Sequence, residues 1–94
     1  MEAQFIAAWE QARRQAQALG IRMRPVEPGQ ALTAARRILD GRRLSEGFSA
    51  LAEQGRLELS LEALAVDRRF TPLFTDDQAN EALTRLLEAG YRFR

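Results

Sequence analysis

The sequence predicts a mostly α fold, a compact bundle of about five helices in a single helical domain over residues 1–94. Three observations predict it. Apolar residues recur at helical spacing in five separate stretches. Glycines or side chains suited to capping stand at most of the ends of those stretches. Finally, ninety-four residues at 46% hydrophobic and 29% charged match one small globular domain and are too apolar for disorder. A chain of this size buries only roughly 60–65% of the surface its unfolded form exposes, so modest stability is expected.

The first helix is expected from Ala3 to Leu19, where Phe5, Trp9, Ala12, Ala16 and Leu19 form one apolar stripe. Glu10 is placed to pair with Arg13 and Arg14, and Gly20 supplies the stop. Pro28-Gly29 precedes a second helix with Ala31, Leu32, Ala35, Ile38 and Leu39 inward, ended by Asp40-Gly41. Ser45 is the expected N-cap of a third helix carrying Phe48, Leu51 and Ala52 and closed by Gly55. Ser60 caps a short fourth helix, with Glu62 in its first turn and Leu61, Leu64 and Ala65 inward. Thr75 and Gln78 have capping-box spacing for the last helix, and Asp76 and Asp77 fall where the helix dipole favours anions. Its expected stripe is Ala79, Ala82, Leu83, Leu86 and Leu87, and Gly90 ends it.

Three of these helices end in glycine and then switch to a period of two. The segments are Gly20-Ile21-Arg22-Met23-Arg24, Gly55-Arg56-Leu57-Glu58-Leu59 and Gly90-Tyr91-Arg92-Phe93-Arg94. Such alternation is a strand signal, so two or three very short strands are an option, and an α+β fold with a small three-stranded sheet is the alternative. Paired, the segments would set Arg22, Arg24, Arg56, Arg92 and Arg94 on one face with only Glu58 to balance them. Solvated extended connections are the plainer reading.

The composition excludes several kinds of chemistry. There is no cysteine, histidine or lysine, and all 14 basic residues are arginine. Ser-His-Asp triads, thiol nucleophiles, Cys/His zinc sites, a phosphate-binding Walker lysine and Schiff bases are therefore out. Asp76-Asp77 is the only adjacent acidic pair, and neighbours on a helix diverge by about 100°, so dipole capping accounts for it without a metal. The expectation is no enzyme, no cofactor, no metal and no small-molecule substrate. No apolar stretch is long enough to span a membrane, and the early charges, Glu2 among them, argue against a signal peptide. A cytoplasmic location is the default. Exclusive arginine with 16 alanines and 13 leucines most simply reflects a GC-rich bacterial genome.

Charge is uneven along the chain. Residues 1–44 hold eight arginines against four acids, and residues 45–94 hold six against nine. Asymmetry of this kind serves intramolecular docking, head-to-tail self-association, or a basic face for an anionic partner. Two functions are expected, belonging to different classes.

The first is a small non-enzymatic bacterial interaction or accessory protein that binds another protein or itself, a homodimer included. Its surface would be Phe5 and Trp9 of the first helix together with Phe70, Leu73 and Phe74 of the 67–74 loop, because exposed aromatic clusters mark interfaces. The second is a small DNA-binding regulator using Arg36, Arg37, Arg42, Arg43, Arg22 and Arg24. The run Leu51-Ala52-Glu53-Gln54-Gly55-Arg56-Leu57-Glu58-Leu59 resembles the end of a winged-helix recognition helix entering its first wing strand. That resemblance, within residues 31–59, implies Arg42, Arg43, Ser45 and Ser49 near DNA. The chain departs from the pattern in two places: Gly47 sits inside the candidate recognition helix, and helical Ser60-Leu61-Glu62-Ala63-Leu64-Ala65 follows where a wing belongs.

Overall fold

A computed structural model describes residues 1–92. Among them the chain forms α1 (Glu2–Ala18), α2 (Ala31–Asp40), α3 (Phe48–Glu53), α4 (Leu61–Ala65) and α5 (Asp76–Glu88). Two 3-10 turns, Leu57–Leu59 and Thr71–Leu73, flank α4. The fold is mostly helical, at 62%, with no strand among the described residues, and its radius of gyration is 12.0 Å.

The helix ends follow local chemistry. The Ser60 hydroxyl accepts from the Ala63 N–H at 3.1 Å. At α5 the capping box closes both ways: the Gln78 N–H donates to Thr75 Oγ1 at 3.1 Å and the Thr75 N–H donates to Gln78 Oε1 at 2.9 Å. Gly20, Gly55 and Gly90 all have positive φ. After each, the next N–H turns back into the helix: Ile21 to the Ala16 carbonyl, Arg56 to Leu51, and Tyr91 to Leu86. This is the closure that left-handed glycines make possible.

The same closure explains why the alternating segments do not pair. It directs the chain back over the helix end instead of out along a neighbour. Residues 21–27 run on without regular structure, and Leu57–Leu59 closes into a 3-10 turn. Alternation there still places Ile21, Leu57 and Leu59 in the core, while Arg56 and Glu58 pair with each other outside at 2.6 Å. The strands expected after Gly20 and Gly55, and with them the three-stranded alternative, are therefore corrected. In the third segment, Phe93 and Arg94 lie outside the described residues.

The winged-helix pattern is likewise absent. α3 has only six residues, from Phe48 to Glu53, and α4 occupies the place of the wing. Ser45 is not the cap of α3. That position falls to Gly47, with φ at 80°.

α4 lies centrally, packed against α5, α1 and both 3-10 turns. On one side of it the core holds Phe5, Leu39, Leu61, Phe70 and Phe74. The Phe5 ring meets Phe70 and Phe74 edge-on, with centroids 5.6 and 5.5 Å away, a favourable aromatic geometry. Phe5, Phe70 and Phe74 are therefore core and not a docking surface, which corrects that expectation. Leu73 is half-buried against the same cluster. The 67–74 loop is apolar because it lids the core.

One helix face also differs from expectation. Leu83 and Leu87 of α5 are 37% and 56% exposed, whereas Gln78 and Arg85 are buried. The reason lies in a polar network around Arg85.

Candidate functional site

A groove of about 690 Å³ runs along α2, between the irregular 23–27 segment and the 41–46 loop. Trp9 of α1, Val26, Ile38 and Leu44 make it apolar, and Arg24, Arg37, Arg42 and Arg43 line it with Glu27 and Glu46.

Its two walls are held by different devices. The 23–27 wall is fastened at both ends. The Glu10 carboxylate accepts from the Val26 N–H, and the Glu46 carboxylate accepts from the Arg24 N–H. Gly47 lets this wall come close: a Cβ there would lie 3.0 Å from Met23 Sδ and 3.1 Å from Ile21 Cγ2. The positive φ of that residue independently favours glycine.

The 41–46 wall is tied from below. Arg85 Nη2 donates to the Gly41 carbonyl at 2.8 Å and to the Ile38 carbonyl at 3.3 Å. The Ile38 carbonyl also accepts from the Gly41 N–H at 3.3 Å, so Arg85 ties the last turn of α2 to its C-cap residue. At the other end of the loop, the Ser45 N–H and hydroxyl both donate to the Glu62 carboxylate. Arg85 Nη1 reaches the same carboxylate at 3.2 Å, and Arg85 Nε reaches Glu81 at 2.6 Å. Gln78 adds a bond from its amide to Asp40 at 3.1 Å. One buried ion pair therefore fixes both ends of the loop that displays Arg42 and Arg43. Among the described residues no buried side-chain nitrogen or oxygen lacks a partner, the condition under which a buried pair is tolerated.

The electrostatics of the groove follow. Among the described residues no carboxylate pairs with Arg37, Arg42 or Arg43, whereas Arg24 lies 3.7 Å from Glu46. Glu10 is committed elsewhere. Hydrogen bonding from Arg13 holds its carboxyl down at about 2, with the Val26 N–H adding to the effect and burial opposing it. Asp67 is lowered in the same way by the Arg69 guanidinium beside it. The groove thus combines an excess of cationic groups with an apolar lining, chemistry complementary to carboxylates or phosphates carried on an apolar body.

No protein-family model, no curated protein and no solved structure matches this chain. The geometry alone therefore carries the functional argument. It brings together four of the six arginines singled out in the sequence, Arg24, Arg37, Arg42 and Arg43. Arg36 turns away to donate to the Leu73 carbonyl at 2.7 and 3.0 Å, stapling the second 3-10 turn to α2. Arg22 is exposed and does not line the groove. Of the five aromatic and leucine residues expected at an interface, Trp9 alone lines it. Among the described residues no three carboxylates gather to hold a metal, and no helix is long and apolar enough to cross a membrane.

Sequence reasoning missed Arg85, gave Glu62 only a place in the first turn of α4, and gave Ser45 a capping role and, through the winged-helix resemblance, a place near DNA. A signal was present. Gln78, Ala82 and Arg85 share one face of α5, so the inward stripe carries a charge. Glu62 stands between Leu61 and Leu64 in a helix of five residues.

Proposed function

We propose that this chain is a non-enzymatic docking module that holds an acidic, leucine-bearing segment of a protein in the groove along α2. One observation carries the reading. Arg37, Arg42 and Arg43, which have no carboxylate partner among the described residues, border the same groove that Trp9, Val26, Ile38 and Leu44 make apolar. Tryptophan and arginine are the side chains most enriched where binding energy concentrates. The arginines steer an acidic partner and set its register, and the apolar lining supplies the burial.

The test is fluorescence anisotropy with a labelled peptide that alternates glutamates and leucines, alongside the same peptide with lysines for glutamates. The acidic peptide binds and the lysine peptide does not. Arg37→Glu with Arg42→Glu weakens binding by about tenfold or more while helical circular dichroism stays unchanged. Labelled duplex DNA is the control. Failure of the peptide together with DNA binding that falls steeply from about 50 to 200 mM salt replaces the protein partner with a nucleic acid.

A further inference from the structure

The outer face of α5 has the chemistry that the groove would accept. Leu83 and Leu87 stand one turn apart, 37% and 56% exposed. Asp76, Asp77 and Glu88 are exposed on the same helix, and none of the three forms an ion pair among the described residues. The single arginine of α5, Arg85, is turned inward onto Glu62 and Glu81, so α5 itself places no cation on that face. It is anionic and leucine-bearing, opposite in sign to the groove, and no residue of α5 lines the groove.

We infer that the segment seated in the groove is α5 of a second copy of this chain. The inference rests on the docking reading above and names its partner. Donor face and acceptor groove are separate surfaces of one protomer, and the contact inferred is one-way, head-to-tail, in contrast to a reciprocal pair of contacts about a two-fold axis. Each copy offers a groove to one neighbour and a helix to another, and the assembly grows as an open chain or closes as a ring. The charge asymmetry of the sequence then has a use, because the basic N-terminal half of one copy meets the acidic C-terminal half of the next. α5 has 13 residues and is about 20 Å long. One such helix against one groove forms an interface at the small, transient end of the range, so association is weak, concentration-dependent and weakened by salt.

Sedimentation velocity on the full chain, from micromolar to near-millimolar concentration, reads the assembly. The wild-type chain gains mass with concentration and passes beyond the dimer, and added salt shifts the distribution back toward monomer. Two one-sided variants decide the geometry. Leu83→Arg with Leu87→Arg removes the donor face at exposed positions, and Arg42→Glu with Arg43→Glu removes the groove charge. Each alone stays monomeric, and an equimolar mixture forms a dimer that grows no further, because only one intact face meets one intact groove. Should the double leucine variant lose its helical signal, Leu87→Arg alone takes its place at the more exposed of the two positions.

A wild-type chain that stays monomeric throughout, a mixture that does not dimerise, or a wild-type assembly that stops at two copies overturns the inference. The acidic-leucine peptide, titrated into the Leu83→Arg, Leu87→Arg protein, separates this failure from that of the docking reading. Peptide binding without self-assembly leaves the groove intact as a docking site and removes the second copy as its occupant. Absence of both removes the groove itself.

Discussion

The guanidinium of Arg85 lies 3.2 Å from the carboxylate of Glu62, and their side chains are 4% and 0% exposed. The pair does more than neutralise itself. Through Gly41 and Ser45 it holds both ends of the loop that carries Arg42 and Arg43. Removing one member leaves the other charged and buried, so Arg85→Met is expected to destabilise the fold by about 3–5 kcal/mol. Arg85→Met combined with Glu62→Leu is less damaging than the sum of the single changes, because no lone charge remains. Urea denaturation of the four proteins measures this, and equal additivity would mean that the two residues act separately.

Phe74 separates a core role from a surface role. It is 8% exposed, with its ring 5.5 Å from Phe5. Phe74→Asp places a charge in that cluster and is expected to abolish the helical circular dichroism signal. Phe5→Ala is expected to lower stability by about 3–5 kcal/mol through the cavity it leaves. A folded Phe74→Asp protein would return the 67–74 loop to the surface.

Gly47→Ala tests how the groove wall is fitted. The substitution adds a Cβ at 3.0 Å from Met23 Sδ on a residue whose φ is 80°. Left-handed strain alone amounts to about 1–2 kcal/mol, and Met23 must also shift. The melting midpoint is expected to fall, with amide hydrogen exchange quickening in residues 21–26. Faster exchange confined to α5 would place the strain elsewhere.

Acid should loosen the other anchor of that wall. Hydrogen bonding from Arg13 lowers the Glu10 carboxyl from 4.5 to about 2. Its contribution is therefore complete above the unfolded value and is lost as pH falls from about 4.5 through about 2. The Glu10 side chain is 28% exposed, so the contribution is small, under about 1 kcal/mol. Glu10→Gln is expected to flatten the acid limb of a stability-against-pH curve over that window without changing stability at pH 2 and below. An acid limb that Glu10→Gln leaves unaltered would assign it to other carboxylates, of which Asp67, lowered by Arg69, is the next to test.

The helix boundaries at Ser60, Thr75, Gly20, Gly55 and Gly90 and the apolar stripes of α1 and α2 were legible in the sequence. Each depends on groups within about four or five residues, so the pattern and the contact that satisfies it lie side by side. The site was legible only in part. Four arginines were readable as a basic cluster, but the groove that collects them comes from α1, α2 and two connections without periodicity of their own. Phe70 and Phe74 were expected at an interface and are buried, because an aromatic cluster in a loop states its need for burial and not what will bury it. Leu83 and Leu87 fitted the α5 stripe by spacing, yet Arg85 took the inward place. Only the tertiary structure decided that exchange. The partners of Arg85 lie 23 residues away at Glu62, 44 at Gly41 and 47 at Ile38, and no local spacing encodes a bond that forms only when α2, α4 and α5 have closed around it.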